Sequence, residues 1–191
     1  ATRSVDLMTA EKTGLAYRPP AQRVAFTFRH LLSQIQIIGR IDPALAASGV
    51  SATIRSVKLY GMPGTGECAV QPEGNGTWSL GEATDADNPF ARDTVSRELT
   101  PAGISVFADD PLLFPQQVGD GFVLEIEYEY AGNGTSGTFA KSISLAGAGI
   151  GTWEAGCSYR YTFTVGSEYI LFEKPEVIPW SSASGGNITV E

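Results

Sequence analysis

The chain has 191 residues, enough for one large domain or for one domain with a piece of another. Its formal net charge is −8 at pH 7 and its 13 Lys and Arg residues do not cluster, which excludes the basic surface that nucleic-acid-binding proteins use. No apolar run approaches the roughly 18 residues of a transmembrane helix, and 22 Gly and 11 Pro residues spread along the chain are typical of an all-β protein with many turns.

Residues 1–23 are predicted to be the end of a preceding N-terminal domain followed by a linker, and residues 24–191 to be the main domain. Pro19 and Pro20 block both a helix and a central strand in the first of these stretches. The chain does not begin with Met and no signal peptide is visible, so we expect that a further segment precedes it.

Residues 24–41 are predicted to form one long strand. The alternation of apolar and polar residues that begins at Val24 resumes at Ile35 in the opposite parity. One extra residue near positions 30–33 would place the apolar side chains before and after it on the same face of the strand, so a β-bulge is expected there. A short helix over residues 30–38 is the alternative.

The middle of the chain is predicted to be a series of short strands joined by turns. Asn75 and Gly76 are a strong turn signal and predict a hairpin between the strands on either side. The polar stretch 81–101 is predicted to be irregular, and residues 43–48 to be a helical turn. The predicted strands and extended segments after residue 41 are 52–61, 67–71, 77–80, 104–108, 111–116, 122–130, 138–145, 169–172, 175–180 and 187–190.

The strand predicted between Ser158 and Val165 has a regular alternation. Tyr159, Tyr161 and Phe163 alternate with polar residues, so one face is apolar and the other polar. A strand with one polar face is expected in an antiparallel sheet rather than in a buried parallel one. Because eight or more short strands are predicted, the expected fold is all-β, a Greek-key β-sandwich, and a closed barrel is the alternative.

His30 is the only histidine, so a Ser-His-Asp or Cys-His catalytic site must use it. It lies within an apolar strand, which predicts a packed or hydrogen-bonded structural histidine instead. Cys68 and Cys157 are compatible with a disulfide, a reactive thiol or two small buried hydrophobic residues, and the last is favoured. A zinc site built from one histidine and two distant cysteines is not expected.

Two acidic clusters resemble the chemistry of known sites. Asp85, Asp87 and Asn88 offer oxygen ligands for Ca²⁺, but the glycine and the distal Glu of an EF-hand loop are missing, and a solvated loop is favoured. Three alternating glutamates from Glu125 to Glu129 have roughly the spacing of an inverting glycosidase pair, about 6.5 to 7 Å. A solvated strand face is favoured for these as well.

Glycine triplets and tryptophans complete the candidate features. Neither triplet follows a strand and opens a helix, so β-turns are predicted rather than phosphate-binding loops. The tryptophans lie next to turns, where they either stack on sugars or fill the ends of a sandwich. The triplets are Gly61, Gly64 and Gly66, and Gly147, Gly149 and Gly151, and the tryptophans are Trp78, Trp153 and Trp180. No catalytic, cofactor-binding or metal-binding residue is therefore predicted.

Six stretches of the chain form an ordered set of motifs. VDLMTA near the start is followed by VAFTFRHLLSQIQI, by IRSVKLYG and by LLFPQ before an alternating strand. TWEAGCSYRYTFTV and ILFEKPEVIPWSSASGGNITVE come last. In this order, which spans nearly the whole chain, the motifs resemble those of the fimbrillin family of Bacteroidales, the Mfa-like and FimA-like surface pilins.

The resemblance implies two transthyretin-like β-sandwich domains, export as a lipoprotein and assembly at the cell surface. Family members begin with a lipobox cysteine and an N-terminal domain, whereas this chain resembles the end of the first domain followed by the second. In the family, proteolysis after an Arg frees a groove that a strand of the neighbouring subunit fills. Arg3 and Arg18 are candidates for that cleavage by residue type alone.

The predicted donor segment lies at the end of the chain. Asn187, Ile188, Thr189 and Val190 are expected to add a strand to a neighbour's sheet, with Ile188 and Val190 filling pockets. The two glycines before them supply a hinge. Pairing of this segment within its own sheet is the alternative.

The predicted function is that of a structural, non-enzymatic cell-surface protein, either a fimbrial subunit or a pilus-associated adhesin. Its expected partners are other pilin subunits and a host or bacterial surface receptor, with no nucleic acid. Contact with the outer membrane is expected only through an N-terminal lipid anchor absent from this chain. A surface carbohydrate-binding β-sandwich is the alternative, and it requires exposed aromatic side chains in a groove.

Overall fold

The computed structural model describes residues 5–14, 26–71, 76–132, 134–167 and 169–180. These ranges contain sixteen strands, one five-residue helix and one 3-10 turn, which confirms the all-β class. The elements, in chain order, are β1 Met8–Thr9, β2 Arg29–His30, β3 Ser33–Ile41, α1 Pro43–Ala47, β4 Ser51–Tyr60, β5 Gly66–Val70, β6 Gly76–Leu80, β7 Ala91–Glu98, β8 Ile104–Ser105, β9 Leu112–Leu113, β10 Gln116–Gln117, β11 Val123–Gly132, β12 Thr135–Ser144, the 3-10 turn Ala146–Ala148, β13 Thr152–Trp153, β14 Cys157–Val165, β15 Ile170–Phe172 and β16 Glu176–Pro179.

Two sheets enclose one hydrophobic core. The four-stranded sheet has the order β12-β11-β4-β7 and is antiparallel throughout. The six-stranded sheet has the order β15-β14-β3-β8, with β16 added beside β14 and β9 beside β3. Buried side chains of both sheets belong to a single cluster, as a sandwich requires. Greek-key connectivity and a transthyretin-like topology stay predictions.

Smaller two-stranded pairs complete the structure. They are β1 with β2, β5 with β6, and β10 with β13. The pair of β5 with β6 is the predicted hairpin, and α1 is the predicted helical turn, in which the Asp42 side chain caps the first turn by accepting hydrogen bonds from the Ala44 and Leu45 amides at 2.8 and 3.2 Å. β1 and β2 lie on either side of the predicted domain boundary at residue 24, and that boundary stays a prediction.

The strand β11 has the predicted two-faced pattern. Leu124 and Ile126 point into the core and are fully buried, whereas Glu125 lies on the outer face opposite Lys58 of β4. The side chains of this charged pair meet at 2.8 Å. A change of register between β4 and β11 occurs beside Arg55, whose exposed side chain bonds the Glu129 carboxylate.

The prediction that residues 81–101 are irregular is wrong for their second half, because Ala91–Glu98 is a strand that pairs with β4. Two of its four inward positions carry the charged residues Asp93 and Arg97, which interrupt the apolar pattern of Ala91 and Val95. Arg97 donates hydrogen bonds to the carbonyls of Ser105 and Phe107 at 2.7 and 3.0 Å. Asp93 accepts one from the Ala108 amide at 2.8 Å. A neighbouring loop therefore satisfies the polar groups of this strand.

The single long strand with a bulge, predicted for residues 24–41, is also wrong in the part that is described. The chain forms β2 and β3, separated by the buried residues Leu31 and Leu32. At the break the Leu31 amide donates to the Leu7 carbonyl at 2.8 Å, and the Leu31 carbonyl accepts from the Trp78 indole at 3.1 Å. The chain thus changes its pairing partners here instead of inserting one residue into a continuous ladder. The alternative helix over residues 30–38 is also wrong.

The strand β14 differs from its prediction in sheet type. Its predicted apolar face is correct, because Tyr161 and Phe163 are fully buried. However, β14 runs parallel to β3 over eight residue pairs, so the expectation of an antiparallel neighbour on both sides is wrong. With β3 on one edge and both β15 and β16 on the other, β14 is central, and its polar residues Ser158 and Thr162 are buried too.

Tyr161 and Trp153 form a polar contact within the core. The Trp153 indole nitrogen donates to the Tyr161 hydroxyl at 2.9 Å, and both side chains are fully buried. Burial raises the pKa of Tyr161 to about 12, although the hydrogen bond from Trp153 partly offsets the effect. Burial also raises the pKa of Tyr159 and, with the nearby Tyr130 hydroxyl adding to it, that of Tyr128.

Alanine substitutions at two glycines with the same φ distinguish the cost of steric overlap from the cost of backbone strain. Gly61 and Gly149 both have φ of 92°. A Cβ on Gly61 would overlap the backbone carbonyl of Gly121, whereas a Cβ on Gly149 meets nothing within 4 Å. We expect Gly149→Ala to lower the free energy of unfolding by about 1 kcal/mol and Gly61→Ala to lower it by roughly 3 kcal/mol or more. Urea unfolding of both variants measures this difference, and equal losses would contradict the packing of Gly61 against Gly121.

The buried tyrosines predict a loss of stability at high pH. Tyr161 titrates near 10 when unfolded and at about 12 when folded, so the unfolded state releases this proton first. The free energy of unfolding should therefore fall between these pH values, by about 1.4 kcal/mol per pH unit for each such proton. Tyr161→Phe should flatten this fall by about one proton, leaving the part due to Tyr159 and Tyr128. Urea unfolding across this range tests the expectation, and parallel profiles for the two proteins would contradict it.

Candidate interaction site

The predicted donor residues Asn187, Ile188, Thr189 and Val190 lie outside the described residues. The described chain leads toward them along the edge of the six-stranded sheet. There β16 pairs with β14 from Cys157 to Arg160, and the Trp180 amide donates to the Gly156 carbonyl at 2.9 Å. Trp180 is therefore the last described residue before this segment.

The edges of the four-stranded sheet differ in charge. At one edge, β7 carries four charged residues among its eight, which disfavour pairing with another strand. At the other edge, the ten residues of β12 include Lys141 as their one charged residue. In the described ranges β12 pairs with β11 alone, so its outer backbone groups face away from the sheet. This long and nearly uncharged edge is the candidate acceptor for an added strand.

An aromatic cluster lies along the inner side of the β12 edge. The ring of Phe139 is 43% exposed and stacks on Tyr128 at a centroid distance of 5.7 Å. Tyr130 meets the same ring edge-on at 6.4 Å. A side chain from an added strand would cover Phe139 here, which gives the edge an apolar contact surface besides its backbone groups.

The short strands β1 and β2 form a ribbon at the start of the described chain. Met8 pairs with His30 and Thr9 with Arg29. Large apolar side chains are exposed along this ribbon and the residues next to it, where a protein of this size usually buries them. They are Val5, Leu7, Met8, Phe26 and Phe28, with exposed fractions of 79%, 43%, 47%, 52% and 54%.

His30 is the structural histidine that its apolar surroundings predict. Its Nδ1 lies 2.9 Å from the Asp6 carboxylate, and its ring stacks on Trp180 at a centroid distance of 4.0 Å and an angle of 10°. His30 thus joins a residue near the start of the chain to one near its end. Sequence analysis missed both partners because they lie 24 and 150 positions away and no periodic pattern links them.

The acidic residues have structural partners. Glu125 pairs with Lys58 and Glu129 with Arg55 on the outer face of the four-stranded sheet. The Asp85 carboxylate accepts hydrogen bonds from the backbone amides of Asp87 and Asn88 at 2.9 and 2.8 Å. Over the described ranges, no group of three His, Cys, Asp or Glu side chains is arranged to hold a metal ion. No helix in the same ranges is long and apolar enough to cross a membrane.

The cysteines, tryptophans and glycines are also placed by the structure. Cys68 and Cys157 are unbonded and partly buried. Trp153 is fully buried and cannot stack on a sugar, while one face of Trp180 is covered by His30. The Trp78 ring packs against Phe114 at 4.8 Å. In the first triplet Gly66 begins β5, and in the second Gly147 lies within the 3-10 turn that Gly149 ends, so neither triplet opens an α-helix.

Comparison with known proteins gives one family and several similar folds. A family model described as fimbrillin-like matches residues 1–180. No curated protein matches the chain significantly. A fimbrial protein of Bacteroides vulgatus is 19% identical with a TM-score of 0.51, and the match covers 82% of this chain and 56% of that one. A proposed cell adhesion protein of Parabacteroides distasonis is 13% identical with a TM-score of 0.53, and the match covers 83% and 55%. The chain therefore spans about half the length of the solved structures it matches.

Proposed function

This chain belongs to the fimbrillin-like family, and on that premise we propose that it is a structural subunit of a cell-surface fimbria. The observation that carries the proposal is the family match over residues 1–180. The fold it shares with a fimbrial protein of Bacteroides vulgatus supports it. A non-enzymatic role is consistent with the contacts of Glu125, Glu129 and His30, because their side chains form ion pairs and a hydrogen bond between strands and segments of the protein itself.

Assembly by strand donation is part of the proposal. The donor is the segment Asn187–Val190 of one copy, in which Ile188 and Val190 alternate with polar residues. The acceptor is the outer edge of β12 in the next copy, where ten residues carry a single charge. An added strand would extend the hydrogen bonding of the sheet and place its apolar side chains beside Phe139, which is 43% exposed.

The proposal also includes the surroundings of the assembled protein. Its partners are other pilin subunits, and a host or bacterial surface receptor belongs to the same hypothesis. A lipid anchor at the outer membrane would be carried by a segment upstream of this chain. The carbohydrate-binding alternative has less support, because Trp153 is fully buried and Trp180 stacks on His30.

Two charge substitutions at neighbouring positions test the donor segment. Because side chains alternate in a strand, Ile188 faces the acceptor and Thr189 faces away from it. We expect Ile188→Asp to abolish polymers of the full-length protein, since it buries an unpaired carboxylate in the acceptor. Thr189→Asp adds the same charge and should leave polymers intact. Polymers are counted as ladders that resist cold SDS after limited trypsin cleavage. Wild-type ladders from both variants would rule out this segment as the donor.

A matched pair on β12 tests the acceptor. Phe139 lies on the inner side of the edge and Thr138 on the outer side of the same strand. We expect Phe139→Asp to remove most polymers and Thr138→Asp to leave them, because only the first places a charge against the donor's apolar side chains. Thermal unfolding of both monomers controls for stability. If folded Phe139→Asp monomers polymerise as wild type, β12 is not the acceptor.

A further inference from the structure

We propose that His30 forms a latch with Asp6 and Trp180, so that withdrawal of the N-terminal segment Val5–Thr9 releases the C-terminal segment Pro179–Trp180, and the reverse. Asp6 lies on the first of these segments, and Trp180 is the last residue of the second. His30 belongs to β2, is hydrogen-bonded to Asp6 and stacks on Trp180. The proposal rests on the proposed function only in that the C-terminal segment leads to the proposed donor residues. The latch itself involves contacts within one copy of the protein.

The first half of the latch is the contact between Asp6 and His30. The Asp6 Oδ2 atom lies 2.9 Å from Nδ1 of His30, and the two side chains are 28% and 10% exposed. An ionised carboxylate only accepts hydrogen bonds, so Nδ1 carries the proton in this contact. The terminal torsion of a histidine side chain has a broad range, and this hydrogen bond selects one orientation of the imidazole. Asp6 therefore sets the orientation of the ring.

The second half is the stack of His30 on Trp180. The two ring centroids are 4.0 Å apart, and the ring planes are inclined by 10°. A parallel stack depends on the orientation of both rings, and Asp6 sets that of His30. The Trp180 backbone is held separately, because its amide donates to the Gly156 carbonyl at 2.9 Å. Loss of Asp6 should thus weaken the ring contact first and that backbone bond second.

Two buried polar atoms make the closed latch costly to maintain. Oδ1 of Asp6 and Nε2 of His30 are buried and have no hydrogen-bond partner within the part of the chain that is described. A buried polar atom without a partner costs free energy that water would restore. When either segment withdraws, water reaches both atoms, and the open state gains this hydration.

An acidic cavity beside the latch acts in the same direction. It has a volume of about 470 Å³ and is lined by Asp6 and Trp180 together with Asp109 and Asp110. Asp110 accepts a hydrogen bond from Gln36 at 3.0 Å. Like charges around one cavity repel, so the contact with His30 holds Asp6 in place against its acidic neighbours.

Amide exchange in the monomeric full-length protein tests the coupling. The Trp180 amide reports on the C-terminal segment, and the Leu31 amide, which donates to Leu7 at 2.8 Å, reports on the N-terminal one. We expect Asp6→Ala, which removes the acceptor, to raise exchange of the Trp180 amide about fivefold or more, the lower end of typical coupling between sites. Asp109→Ala removes the same charge from the same cavity without touching His30, and it should leave that amide unchanged. A Trp180 amide that exchanges equally in both variants would falsify the latch.

The reverse direction has its own matched pair. Because coupling is reciprocal, Trp180→Leu should raise exchange of the Leu31 amide by the same factor. Trp180→Phe keeps an aromatic ring on His30 and should restore most of the protection. The Leu99 amide, which donates to the Ala52 carbonyl at 2.8 Å in the core, reports global unfolding. If a variant also raises exchange of the Leu99 amide, global unfolding contributes, and the comparison of Trp180→Leu with Trp180→Phe then tests the latch. Equal exchange of the Leu31 amide in these two variants would overturn the proposal.

The outcome is separable from that of the proposed function. Exchange is measured on monomers, so an absence of coupling overturns the latch and leaves strand donation standing. Failure of the comparison between Ile188→Asp and Thr189→Asp overturns strand donation and leaves the latch standing.

Discussion

The parallel ladder between β3 and β14 is the constraint on which the six-stranded sheet depends. It joins residues 34–41 to residues 158–165 in eight pairs, across more than a hundred residues of intervening chain. The other strands of that sheet attach to one of these two: β8 and β9 to β3, and β15 and β16 to β14. A sheet assembled around such a distant pairing must pay a large loop-closure entropy before its core forms, so slow folding is expected.

The direction of this ladder explains where the two ends of the described chain meet. Because β3 and β14 are parallel, both begin at the same end of the sheet. β16 runs antiparallel to β14 and ends there, with Pro179 opposite Cys157. Two residues separate His30 from the start of β3, and Trp180 directly follows β16, so the two rings come together at that end. With the opposite direction of β3, its start would lie about 30 Å away, the length of a nine-residue strand.

The sequence predicts the elements whose interactions are local. In β11, Leu124 and Ile126 alternate with glutamates, and the inward and outward faces follow directly. Elements that depend on distant partners were predicted poorly. β7 is a strand because it pairs with β4, which lies far from it in the sequence, and the two polar residues buried in β14 lie in a strand that has neighbours on both edges. Likewise, the hydrogen-bonded character of His30 was predictable from its apolar surroundings, but its partners were not, since no local pattern identifies Asp6 or Trp180.

The unequal edges of the four-stranded sheet bear on the form that an assembly would take. Four charges on β7 disfavour pairing there, whereas β12 has one. Under the proposed function each copy then offers one acceptor edge and one donor segment, and these are different surfaces of the molecule. Contacts between unlike surfaces are heterologous, and they produce an open filament unless the rotation between copies happens to close a ring. It is therefore the pairing of a donor segment with the β12 edge, two unlike surfaces, that would favour a linear polymer over a closed dimer, while the charges on β7 keep the opposite edge of the sheet from pairing.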